Sequence, residues 1–232
     1  MSSLTLPARA LIDPVDTVPV AVRERRWMLP LLALVLTSAF AALMVWLHWE
    51  AEPDVVAQLQ RSGAIHAMSE QAIQDKVALQ GRITLVAGVA SAVLAMPLIV
   101  LLLAVGLKFV GWLLGRSGTF KDLFAAVAVG SLPIALGQLA LGLALLRQPK
   151  LSMKQIQELL PSNLAAFVDV PARFVGVAQA VDFFSLWSVA LIGLGFAAAT
   201  GMRRWKALLL LGFLYALFVG VVRIGLAGSG GM

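Results

Sequence analysis

Apolar positions in this chain gather into long unbroken runs, and the polar ones are pushed into the intervals. Five runs stand out: Trp27 to Leu47, Ile83 to Leu107, Leu123 to Leu146, Phe183 to Met202 and Trp205 to Ala227. Each reaches or approaches the roughly 20 residues a helix needs to cross about 30 Å of hydrocarbon. A helix also satisfies every backbone N–H and C=O within its own segment, which hydrocarbon demands. The pattern therefore predicts an all-α polytopic bundle of five transmembrane helices, occupying residues 23–227, with a short tail at 228–232.

The intervals have patterns of their own. Residues 1–22, "MSSLTLPARALIDPVDTVPVAV", hold three prolines and no sustained helical period, and predict a flexible cytoplasmic N-terminal arm. "SEQAIQDKVALQGRI" opens on Ser69, a suitable N-cap with acid in the next turn, and predicts a helix that continues into span two. Between 147 and 182, Ile156, Leu159 and Leu160 precede Pro161, and Leu164, Phe167 and Val168 follow it. That pattern suits short interfacial helices in the two outer loops.

Composition fixes the solvent. With 60% hydrophobic against 13% charged residues and a mean hydropathy of +0.92, a soluble domain could not cover its apolar surface. A formal charge of +6 would suggest nucleic acid in a soluble protein, but here the basic residues cluster at span ends, where they meet anionic head groups. Arg23, Arg25 and Arg26 precede span one, Lys108, Arg116 and Lys121 fill the second interval, and Arg203, Arg204 and Lys206 crowd the last turn. With Arg9 these make ten of the 18 basic residues on one side, against eight on the other. The positive-inside rule then puts the N-terminus in the cytoplasm and the C-terminus outside.

The triplet Arg-Arg-Trp occurs twice, at Arg25-Arg26-Trp27 and Arg203-Arg204-Trp205, each time opening an apolar run. Guanidinium on phosphate and indole at head-group depth form an interfacial anchor, and Arg223 is expected to anchor the far end of span five by snorkelling. "RERRWMLPLLALVLTSAFA" has signal-peptide features, but the run continues through "ALMVWL", so span one is expected to stay uncleaved.

Reactive chemistry is sparse. The chain has no cysteine, and its two histidines, His48 and His66, fall in or beside one loop. No Gly-x-Ser-x-Gly, His-Glu-x-x-His or phosphate-loop motif is present. "HWEAEPD" from His48 to Asp54 offers one imidazole and three carboxylates, too few strong ligands for zinc. The expectation is no catalytic, cofactor-binding or metal residues. Asp122 and Asp182 stand at span starts, where a carboxylate complements the helix dipole and caps free N–H groups, and Gln138 is placed for an interhelical hydrogen bond.

Prolines 30, 97 and 133 fall inside spans and predict kinks. Gly111 and Gly115 at GxxxG spacing, and Gly193 with Ala197, predict close-packing or partner faces.

Two stretches, "GTFKDLFAAVAVGSLPIAL" and "DFFSLWSVALIGLGFAAATGMRRWKALLLLGFLY", resemble the Yip1 family of five-span membrane proteins. The likeness rests on Gly118, Phe120 and Ser131-Leu132-Pro133 in span three, and on Asp182, Phe183, Ser185, Leu186 and Trp187 entering span four. It extends from about residue 25 to 225, mainly by pattern in spans one and two. The resemblance implies a non-enzymatic integral membrane protein. Eukaryotic relatives act in vesicle trafficking and associate with Rab GTPases and with one another, and some bacterial relatives accompany ABC-type exporters. The short N-terminal arm departs from the eukaryotic type, and the Ala, Leu and Gly richness points to a bacterial inner membrane.

The sequence thus predicts a membrane scaffold or partner-binding protein without cofactor, small-molecule substrate or nucleic acid. Its expected partners are anionic lipid and other membrane proteins or copies of itself. In this reading Lys121 meets head groups, Asp122 caps span three and Pro133 bends it. The alternative is a small transporter or transporter subunit with a polar pocket near Gln138, Asp182 and Ser185.

Overall fold

The computed structural model describes residues 5–116, 118–171 and 174–221. Among them helix dominates, and β-type pairing is limited to two isolated bridges, Trp49 with Leu151 and Asn163 with Asp182. The helices are α1 (Leu6–Ile12), α2 (Pro14–Arg23), α3 (Met28–His48), α4 (Ala51–Arg61), α5 (Glu70–Ala90), α6 (Met96–Leu113), α7 (Phe120–Gly130), α8 (Leu132–Leu145), α9 (Met153–Glu158), α10 (Val175–Ala180), α11 (Phe183–Thr200) and α12 (Arg204–Val219). Four continuous segments among the described residues are long and apolar enough to cross a membrane: α3, Glu70–Leu113, Phe120–Leu145 and α11. The protein is a multi-pass, all-helical membrane protein. The described part of α12 has 16 residues, and the sequence-predicted span continues past it.

Glu70–Leu113 joins α5 to α6 through a π-helical stretch at Ser91–Ala95. Ser69 caps it, its hydroxyl accepting from the Ala72 N–H at 3.2 Å. Its 44 residues are roughly twice what the hydrocarbon requires, and the charged end carrying Glu70, Asp75, Lys76 and Arg82 accounts for the excess.

The N-terminal segment corrects the expectation of a flexible arm. Residues 6–23 form α1 and α2, with Leu6, Ala10, Val18, Ala21 and Val22 all buried. The prolines that suggested a breaker act otherwise: Pro7 and Pro14 sit in the first turns of α1 and α2, where the N–H they lack would have had no intrahelical partner. Pro19 alone lies inside a helix.

The chain divides into two compact units. The first comprises residues 1–35, 96–137 and 161–232. Its centre is the contact of α7 with α11, made possible by near absence of side chain. A Cβ on Gly195 would lie 2.6 Å from the Ala126 Cβ, and one on Gly130 would lie 2.9 Å from the Ile192 backbone nitrogen. Lipid offers helices no hydrophobic reason to associate, so van der Waals contact at this range carries the adhesion. Phe196, Val100, Ala104, Leu107 and Leu123 fill one core cluster, and α1–α2 close a second against Ala126, Val129, Leu132, Leu191 and Leu194. α11 ends at Gly201 with φ +67°, and α12 packs back where Gly193 meets Leu208.

The second unit comprises residues 36–95 and 138–160. Met44, Trp49, Leu145 and Ile156 form its core, with Phe40 against Gly142. Asp54 ties the two loop segments together, its Oδ2 accepting from Trp49 Nε1 at 2.6 Å and from the Met153 N–H at 2.9 Å. Backbone bonds from Glu50 N to Leu151 O and from Leu151 N to His48 O run beside it. α9 begins with a capping box between Ser152 and Gln155.

Candidate functional site

Arg23, the last residue of α2, and the four residues Glu24-Arg25-Arg26-Trp27 that join α2 to α3 concentrate the interfacial chemistry. α2 ends in a Schellman turn: Arg26 N–H donates to Ala21 O at 2.9 Å and Arg25 N–H to Val22 O at 3.1 Å. The left-handed position of that turn, normally glycine, is Arg25 at φ 55°. A left-handed non-glycine residue costs roughly 1–2 kcal/mol, so this turn carries arginine where the backbone alone would favour glycine.

The Arg25 side chain reaches α7. Its Nε donates to Asp122 Oδ1 at 3.0 Å, with Arg25 half exposed. Arg26 pairs with Glu24, and the Trp27 ring stands edge-on to Phe124 with centroids 5.3 Å apart at 79°. The start of α7 is capped by Thr119, whose Oγ1 accepts from the Asp122 N–H at 3.2 Å. The expected cap at Asp122 is thereby displaced by three positions: Asp122 occupies the first turn and spends its carboxylate on Arg25. Lys121 is exposed. Nearby, Lys108 Nζ donates to Gly118 O at 2.7 Å, fastening the end of α6 to the loop before α7.

Beside this cluster lies a groove of about 710 Å³. Arg25, Arg26 and Trp27 line its mouth, α3 supplies Leu29, Leu32 and Val35, and Leu6 and Pro97 complete the wall. Its volume falls within the roughly 300–1,000 Å³ of small-molecule sites. Gln138, Asp182 and Ser185, the polar groups predicted to surround a transport pocket, are not among its lining residues.

The other residues singled out in the sequence serve diverse structural purposes. Asp182 Oδ2 accepts from the Ser185 N–H at 2.9 Å at the start of α11. Pro133 is fully buried in the first turn of α8, immediately after the helix breaks at Ser131. Gly111 faces Phe196, but Gly115 has φ +65° and open space around it. The GxxxG spacing therefore does not form one packing face: Gly115 is the left-handed end of α6, closed by Arg116 N–H on Gly111 O at 2.8 Å. Gly193 and Ala197 lie on the buried side of α11. Gln138 is half-buried and makes no side-chain hydrogen bond among the described residues. Arg203 and Arg204 begin α12, where Lys206 lies over the exposed Trp205 ring at 5.5 Å. Arg223 lies outside the described residues.

Sequence reasoning missed Gly130 and Gly195, the two glycines on which the α7–α11 contact depends. Their signal was the small-residue run around each, "FAAVAVG" and "GLGFAAA", rather than a GxxxG spacing. It also missed Thr119 and the Arg25–Asp122 pair. No group of three or more His, Asp or Glu side chains able to hold a metal occurs among the described residues.

No curated protein and no solved structure matches the chain. The Yip1 domain does match it, over residues 8–224. That interval takes in α2 to α12, the arginine cluster and every lining residue of the groove except Leu6. On this match, extending over nearly the whole chain and all four membrane-capable helices, the protein belongs to the Yip1 family.

Proposed function

We infer that this protein is a non-enzymatic scaffold or partner-binding subunit of a membrane, acting in membrane organisation, trafficking or assembly of a larger membrane complex such as an exporter. The observation that carries this reading is the Yip1 domain match across residues 8–224. Internal bonding supports it, because several polar groups on the helices are spent on the fold itself. Asp122 holds Arg25, Asp182 holds the start of α11, and the hydroxyls of Ser131 and Thr200 donate to Val127 O and Phe196 O.

In this reading the chain crosses the membrane five times, α12 being the last span, with its N-terminus cytoplasmic and its C-terminus on the far side. The bacterial inner membrane is the proposed location. The short return at Gly201 supports the fifth crossing, since α12 packs antiparallel onto α11 through Gly193 and Leu208. α4, α9 and α10 would then rest in the opposite interface, where Phe167 and Val168 leave apolar surface exposed.

The test is affinity purification of the tagged full chain from its host in a mild detergent, after brief cross-linking. The expected result is one or a few membrane proteins recovered in constant ratio. Recovery of the chain alone, together with solute uptake by proteoliposomes that hold only this protein, would replace the scaffold reading with transport.

A further inference from the structure

The groove beside α3 has the chemistry of a lipid site. Its walls are aliphatic, and between Trp27 and Val35 it follows α3 for eight residues, about 12 Å along the axis. That depth takes the first part of an acyl chain. Arg25 and Arg26 line the mouth, the run from Arg23 to Arg26 holds three arginines and one glutamate, and with Asp122 counted the local balance stays positive. Arg25 meets Asp122 through Nε alone among the described residues and is half exposed, which leaves its terminal nitrogens available as donors to phosphate. The first turn of α3 carries no acid to cancel the positive end of its dipole.

We propose that this groove binds one anionic glycerophospholipid, its phosphate on Arg25 and one acyl chain along Leu29, Leu32 and Val35 against Leu6 and Pro97. Charge complementarity selects the occupant: a zwitterionic lipid brings its own cation to a mouth that is already positive, and an anionic one does not. The arrangement also gives a role to an arginine that stands where the turn favours glycine. Because Leu6 of α1 forms part of the wall, the lipid also touches the N-terminal α1–α2 segment and helps to hold it in place. The proposal needs the Arg25–Trp27 segment at head-group depth in either leaflet and is independent of any protein partner.

The experiment uses the full chain, delipidated in dodecyl maltoside and titrated with palmitoyl-oleoyl phosphatidylglycerol, the matching phosphatidylcholine or glycerol 3-phosphate. Bound lipid is counted by native mass spectrometry. Wild type should retain a single phosphatidylglycerol at about tenfold lower concentration than phosphatidylcholine, the ratio that one charge-assisted contact supplies. Arg25→Gly suits the backbone of the turn and should bring the two lipids level, whereas Arg25→Lys should keep part of the preference. Leu32→Trp fills the groove and should lower retention of both.

Equal retention of both lipids by wild type, or an undiminished preference in Arg25→Gly, overturns the proposal. Competition by glycerol 3-phosphate at similar concentration would make the site one for free phosphate and also overturns it. A lipid-independent dimer abolished by Leu32→Trp would give the groove to a second copy, with the same consequence.

Discussion

Arg25 and Asp122 are 97 positions apart in sequence and 3.0 Å apart in space. Their pair fastens the α2–α3 junction to the first turn of α7. Because both ends are partly exposed, the pair itself contributes about 0.2–1 kcal/mol. Asp122 also complements the α7 dipole, for a further 0.3–1 kcal/mol or so. Asp122→Ala should therefore lower stability by about 1 kcal/mol. Arg25→Gly loses the same pair but relieves a left-handed arginine worth roughly 1–2 kcal/mol, and should be neutral or slightly stabilising. Unfolding midpoints followed by tryptophan fluorescence in one lipid-free detergent will separate the two. Equal losses would mean that the turn is not strained.

The α7–α11 seam makes a sharper prediction. A methyl on Gly130 meets the Ile192 backbone, and one on Gly195 meets Ala126 Cα at 3.0 Å, so neither neighbour can move aside by a rotamer change. Gly130→Ala and Gly195→Ala should each cost about 1–3 kcal/mol as overpacked contacts. Gly212 has open space around it, and Gly212→Ala should be silent or raise the midpoint slightly, as expected for alanine in a helix interior. Thermal stability of fluorescent-protein fusions, measured by size exclusion after heating, provides the comparison.

Asp54 carries two bonds that join separate loop segments. Hydrogen bonds to a charged group contribute about 1.5–3 kcal/mol, so Asp54→Ala should loosen this region by that amount. The readout is amide exchange: residues 153–158 should exchange faster, while α11 keeps its protection. Glu52→Ala, on the same helix but exposed, should leave the exchange pattern unchanged.

Topology reporters test the fifth span. With α12 crossing, reporters fused at the two termini should register on opposite faces, and a reporter inserted near residue 149 should share the face of the C-terminus. Both termini on one face would reduce the spans to the four seen among the described residues.

Long apolar runs made the spanning helices legible, because nothing but helix satisfies their backbone in hydrocarbon. Ser69 was legible too, as a hydroxyl at the foot of an acidic turn. The N-terminal pair of helices, α1 and α2, was not. Proline reads as a breaker unless it falls in a first turn, and that position is fixed only by where the helix starts, which depends here on burial of Val18, Ala21 and Val22 against α7 and α11. Gly115 and Asp122 failed for a related reason: spacing cannot distinguish a packing glycine from a left-handed one, nor a cap from a first-turn acid three residues on. Arg25 with Asp122 lay beyond local reasoning altogether, since no short-range rule links residues 97 apart.

The hydroxyls of Ser131 and Thr200 each bond to the carbonyl four residues earlier in their own helix, at 2.9 and 2.7 Å. Such groups travel already neutralised. At these two positions the helix can leave the insertion machinery with its hydroxyl already bonded, so neither group needs a neighbouring helix to be in place first.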